Sequence, residues 1–219
     1  MVAGAAKPGC VRMTYSLNEL AGLLRKAAMG AGFPTGHGVA ISEAGVWLAR
    51  RGVPVCDLVA RSIGRGMRES AIDRAAQVVT FQTARASVDG VSAIDLLLAR
   101  TLGDTIELQG LDEPVLLLGL AGVAAELHNV GFEMRHVGGI SSVGTAVLGF
   151  DAIKPGTVML GLTSSERAEA ASDLATRYDP VAVGDNGWEK LGALAYKTYV
   201  PASEQSRISG AGAGLTDNN

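Results

Sequence analysis

Residues 104–137 read DTIELQGLDEPVLLLGLAGVAAELHNVGFEMRHV, and the way this run divides into elements decides the fold. DTIELQG (104–110), EPVLLLG (113–119) and GFEMRHV (131–137) are short, partly β-branched and bounded by Gly, Pro or Asp, which predicts strands. LAGVAAELHNV (120–130) has the length of a helix. On the last of the strands Glu133 and Arg135 share one face, and Met134 and His136 the other. The most apolar run, 114–127, is shorter than the ~18 apolar residues of a membrane span and is broken by Gly119 and Gly122.

Outward from this run, QVVTF (77–81), SSVGTAVLGF (141–150) and GTVMLGL (156–162) read as further strands, and SAIDLLLART (92–101) and SSERAEAASDLATRY (164–178) as helices. The last of these places Ala168, Ala171, Leu174 and Ala175 on one side. The N-terminal part is helical. SLNE (16–19) is a capping box, and a helix follows it with Leu17, Leu20, Ala21, Leu24 and Ala27 or Ala28 at the helical period. It stops at the glycine-rich GAGFPTGHG (30–38). Helices are expected again over about 39–50 and 57–63, and after VGDNG (183–187), where Trp188, Leu191, Leu194 or Ala195, and Thr198 line one face and Pro201 sets the limit. The fold class is α+β, a helical N-terminal part packed on a mixed β-sheet with covering helices. One domain is expected over 13–219, with a helical lobe over about 13–70 and a sheet lobe over about 75–219; residues 1–12 are set aside as a disordered leader.

Hydrophobic residues make up 47% of the 219 and charged ones 19%, below the roughly 25% usual in soluble domains, which points to a homo-oligomer. The formal charge of −3 comes without a basic stripe. Arg61, Arg65, Arg68 and Arg74 in RSIGRGMRESAIDR (61–74) read as a solvated helix face or linker, so no nucleic-acid partner is expected. No membrane partner is expected either. The opening lacks the apolar region of a secretory signal, and Cys10 and Cys56 form neither a disulfide framework nor metal-ligand spacing, which suits a cytoplasmic protein.

The tail SEQSRISGAGAGLTDNN (203–219) carries Gly210, Gly212 and Gly214, which let backbone amides converge as in an anion-binding nest. Ser203, Ser206 and Ser209 add hydroxyls, Arg207 a planar fork suited to a carboxylate or phosphate, and Asp217 a carboxylate. The spacing matches neither a dinucleotide fingerprint nor a phosphate loop. His37, His128 and His136 show no metal spacing, and no nucleophile elbow occurs. Lys26 reads either as a cation favourable to its helix end or as an amine aimed at the glycine turn.

SLNELAGLLRKAAMGAGF near the start and YVPASEQSRISGAGAGLTDNN at the end together resemble the bacterial family called domain of unknown function 3726, over essentially 13–219. Ser16, Asn18, Glu19, Lys26, Gly30 and Gly32 match its opening signature; Tyr199, Pro201, Ser203, Ser206, Arg207, Gly210, Gly212, Gly214, Asp217 and Asn218 match its closing one. Thr35, His37 and Glu43 stand where the family places a tryptophan and acidic residues. The resemblance implies an ordered tail folding back toward Asn18, Glu19 and Lys26, but no reaction. On this reading Glu19, Lys26 and Asp217 are catalytic, and Asn18, Tyr199, Ser203, Ser206, Arg207 and Gly212 bind substrate. The protein is expected to be a cofactor-independent enzyme acting on a small carboxylate or amino-acid-like metabolite. The rival readings are a non-catalytic partner subunit and a small-ligand sensor.

Overall fold

The computed structural model describes residues 14–75, 78–99, 105–143, 153–163, 181–182 and 185–199. The expected leader, the helix over 164–178, the end of the strand over 141–150 and the tail from residue 200 lie outside them.

Helix α1 (Leu17–Gly30) starts at the capping box that SLNE predicts. Ser16 Oγ accepts from the Glu19 amide at 3.1 Å, and Glu19 Oε2 accepts from the Ser16 amide at 2.8 Å. Its apolar stripe is buried at Leu20, Leu24, Ala27 and Ala28. Gly32, at φ +92°, makes the left-handed turn that ends it. Helix α2 (Thr35–Arg50) begins directly after Pro34 and so takes in residues 35–38, the last part of the turn expected from the glycines. Pro34 supplies the extended residue ahead of the first turn, and Gly45 lets α2 approach α1, a Cβ there overlapping the Leu24 side chain. Helix α3 (Val55–Gly64) likewise follows a proline, Pro54.

The sheet begins with β2 (Ala71–Ala75), a strand the sequence reading missed, paired antiparallel with β3 (Val78–Gln82). Helix α4 (Asp89–Ala99) then leads to β4 (Thr105–Leu111), parallel to β3. Residues 113–119, expected as a strand, are instead the N-cap Glu113 and the first turns of one helix, α5 (Pro114–His128). Pro114 stands at its first turn, where a missing N–H costs nothing. This helix lies among α2, α4 and the sheet and is apolar all round, so it lacks the polar face that would separate a helix from a buried strand.

Strands β5 (Gly131–His136), β6 (Gly139–Val143) and β7 (Gly156–Thr163) complete a six-stranded sheet of order β2-β3-β4-β7-β5-β6. The pairings make β3, β4 and β5 mutually parallel, with β2, β7 and β6 running against them. Val79, Phe81, Ile106, Leu108, Phe132, Met134, Val158 and Leu160 are buried on one face, the side of α4 and α5. A separate antiparallel pair joins β1 (Thr14–Tyr15) to β8 (Val181–Ala182). Helix α6 (Asp185–Tyr196) then returns to α1 and α3. There Trp188 stacks on Tyr15 with ring centroids 3.5 Å apart.

Cys56 sits where α6 meets α3, 4% exposed. Burial, reinforced by the Asp57 charge, pushes its thiol up to about 12. The folded state therefore holds this proton more tightly than the unfolded chain. The associated stability is intact below the ordinary thiol pKa and is lost as pH rises from there toward about 12. At pH 8 native Cys56 should resist iodoacetamide and react on unfolding, as peptide mapping would show; native labelling at the unfolded rate would contradict the burial.

Candidate functional site

The sheet face turned away from α4 and α5 carries a different set of side chains. Because strand side chains alternate, Thr80, Glu107, Met159 and Arg135 share one cross-strand row, and Thr105, Gly161, Glu133 and Ser142 share the next. Over the middle strands lies a depression of about 470 Å³, lined by Thr105, Glu133, Arg135, Met159, Gly161, Leu162 and Thr163. Its floor is low at Gly161, which has no side chain to raise it.

The charges are placed by the same register. Arg135 Nε donates to Glu133 Oε1 at 2.7 Å, two residues along β5. The Arg135 side chain is 67% exposed and that of Glu133 20%. Two strands away, Glu107 accepts from Thr80 Oγ1 at 3.1 Å and from Gln109 Nε2 at 3.3 Å, which holds that carboxylate against the sheet. The depression thus offers a guanidinium fork, a carboxylate beside it, two threonine hydroxyls and an apolar contact from Met159. Such a set can grip a small molecule bearing both charges.

The residues singled out from sequence are only partly brought together. Lys26 Nζ donates to the Tyr199 hydroxyl at 3.1 Å and lies 5.0 Å from that ring's centroid, joining α1 to the segment after α6. Asn18 is exposed on the first turn of α1. Glu19 serves the cap: hydrogen bonds from the backbone and side chain of Ser16 hold its carboxyl below the usual range, which makes it a poorer proton acceptor. Seven residues separate Glu19 from Lys26, about 10 Å along the helix. Ser203, Ser206, Arg207, Gly212 and Asp217 lie outside the described residues.

Residues 15–96 match the family described as Protein of unknown function (DUF3726). No curated protein matches the chain. The DUF3726 segment runs from Tyr15 through α1, α2, α3, β2 and β3 into α4, so it holds the opening signature with Asn18, Glu19 and Lys26. The closing signature and the strands β4, β5 and β7 under the depression fall beyond it. The sequence resemblance was expected over 13–219, and the match is narrower.

Within the DUF3726 segment the arginines of 61–74 are not simply a solvated face. Arg61 binds Glu113 through Nε at 2.8 Å and Nη2 at 3.2 Å, and Arg65 reaches Asp112 at 3.3 Å. Arg85 donates to the carbonyls of Arg65 and Gly66 at 3.0 and 2.9 Å, closing the C-terminus of α3. Two buried carboxylates complete the staple. Asp89 accepts from the Arg85 amide and from Ser70 Oγ, both at 2.7 Å. Asp112 accepts from the amides of Ala86 and Glu113 at 2.9 and 2.8 Å. Thr83 enters this loop at φ +52°, an uncommon conformation for a β-branched residue. The carboxylates are occupied by backbone and arginine donors, so the cluster ties loops together rather than presenting free charge. The partners lie up to 52 residues apart, beyond the reach of any local spacing.

Two of the histidines have structural surroundings, while His128 is exposed at the end of α5. His37 is in the first turn of α2, not in a loop, with its ring 6.4 Å from that of Phe33. His136 Nδ1 accepts from the Gly138 amide at 3.1 Å, which leaves Nε2 to donate to Ser141 Oγ, also at 3.1 Å. Among the described residues no three His, Cys, Asp or Glu side chains converge as metal ligands, and no helix is long and apolar enough to cross a membrane.

Proposed function

We propose that the protein binds a small zwitterionic metabolite, an amino-acid-like carboxylate, in the depression over β4, β7 and β5. The observation that carries this reading is the Arg135 fork beside the Glu133 carboxylate at the wall of a depression of about 470 Å³. Ligand sites commonly measure about 300–1,000 Å³. A zwitterion exchanges the internal ion pair for two external ones, its carboxylate meeting Arg135 and its ammonium meeting Glu133. Breaking an exposed pair of this kind costs about 0–1 kcal/mol. Thr105 and Thr163 hydroxyls take further polar atoms, and Met159 receives the apolar part. Binding is preferred to acid–base catalysis at Glu19 because that carboxyl is shifted away from proton acceptance. The charge-poor composition fits a homo-oligomer, and the paucity of cysteine fits a reducing cytoplasm.

A panel of α- and ω-amino acids, with matched amines and carboxylates that each lack one charge, tests the reading by thermal shift and calorimetry. A zwitterion should raise the melting temperature, and at 100 times its Kd the gain is about 2.7 kcal/mol. Arg135→Lys and Glu133→Gln should each weaken it about tenfold or more, since lysine lacks the bidentate fork. Stabilisation by the singly charged analogues alone, or a hit indifferent to Arg135→Lys, would remove the basis for the proposal.

A further inference from the structure

On the opposite side of the molecule, α2, α4 and α5 leave a groove of about 140 Å³. Its walls are mostly apolar, with Ala40 from α2, Ile94 and Leu98 from α4, and Leu120, Val123 and Leu127 from α5, and His128 stands at its α5 end. Leu127 is 75% exposed, an unusual position for a leucine beside further apolar side chains. Two carboxylates stand on facing walls, Glu43 on α2 and Asp95 on α4; both are exposed, and neither has an ion-pair partner among the described residues. The other carboxylate near the end of α5, Glu126, is held by Arg51 at 3.0 Å.

We infer that this groove docks a helix of a partner protein through one branched or aromatic apolar side chain flanked by lysine or arginine. Volume sets the anchor: an apolar cavity of about 150 Å³ accommodates one benzene, the bulk of a single phenylalanine or leucine side chain. Charge sets the flanks, because an anchor entering between Glu43 and Asp95 brings its neighbours against two carboxylates. A cleft between helices accepts an amphipathic helix, whose residues one turn to either side of the anchor reach those walls. A second copy of this chain suits the groove poorly, since a two-fold contact of the patch with itself sets like charges together.

The test uses the full chain and helical alanine–lysine peptides of about 15 residues with Phe, Leu or Ala at the centre, followed by fluorescence anisotropy. The Phe or Leu peptide should bind about tenfold or more tightly than the Ala peptide, and a version with glutamate for lysine should fail. Leu127→Lys, exposed and compatible with a helix C-terminus, should abolish binding while leaving the circular dichroism unchanged. Glu43→Gln with Asp95→Asn should flatten the salt dependence. Equal binding of the Phe and Ala peptides, or binding that survives Leu127→Lys, overturns the inference. So does a Leu127-dependent dimer in sedimentation, which would give the groove to a second copy.

Discussion

Trp47→Ala lowers stability by about 3–5 kcal/mol, and Gly122→Ala, damaging by itself, becomes harmless or mildly stabilising in that background. Trp47 on α2 is 5% exposed and lies against α5. Its indole Nε1 donates to Glu126 at 2.7 Å, and the Arg51 guanidinium covers the ring at 3.5 Å. Burial pulls the Arg51 pKa down while Glu126 opposes that shift, so removing the indole disturbs a partly desolvated cation as well as leaving a void. A Cβ at Gly122 would overlap the Trp47 ring, and a ring pinned on two sides cannot swing away. Overpacking of this kind costs about 1–3 kcal/mol. Without the indole the same methyl group gains the helix preference of Ala over Gly, about 0.8–1.0 kcal/mol. Urea unfolding of the four proteins of the double-mutant cycle measures the coupling. Simple additivity of the two single effects would mean that the helices do not meet at this point.

The second large effect is expected at Gly30. A Cβ there would overlap the Leu194 carbonyl, so α1 and α6 touch backbone to backbone. Gly30→Ala must push α6 away, at about 1–3 kcal/mol or more, and should also loosen the Lys26–Tyr199 contact and the stack of Trp188 on Tyr15. Gly22 is the internal control, because a Cβ there has no heavy atom within 4 Å. Gly22→Ala should stabilise by up to about 1 kcal/mol. Thermal unfolding and tryptophan fluorescence of both variants separate the outcomes. Equal shifts at the two positions would show that α6 is not seated on α1 as described.

The Arg135–Glu133 site was half visible in the chain. Alternation along GFEMRHV places Arg135 and Glu133 on one face, and a period of two requires nothing but local geometry. That this face turns away from the helices, and that Gly161 of β7 lies beside Glu133 to lower the floor, depends on β7 inserting between β4 and β5. The arginine staple shows the same limit: Arg61 and Arg65 could be placed near a helix, but not their acceptors at Glu113 and Asp112.

Local chemistry by itself settled α1 with its capping box, the amphipathic α6, the strands β4, β5 and β7, and hence the α+β class. In each case the signal is a short-range period or a hydrogen bond between residues a few positions apart. Tertiary packing decided α5, β2 and both candidate sites. Helix α5 is apolar around its circumference over residues 114–125, most of which other elements bury, so residues 114–119 carry no periodicity to distinguish helix from strand. Strand β2 exists through its ladder with β3, and the groove and the depression arise where elements distant in the chain leave a face uncovered. Burial on all sides erases the contrast between polar and apolar faces that sequence periodicity reads, and only the assembled fold restores the distinction.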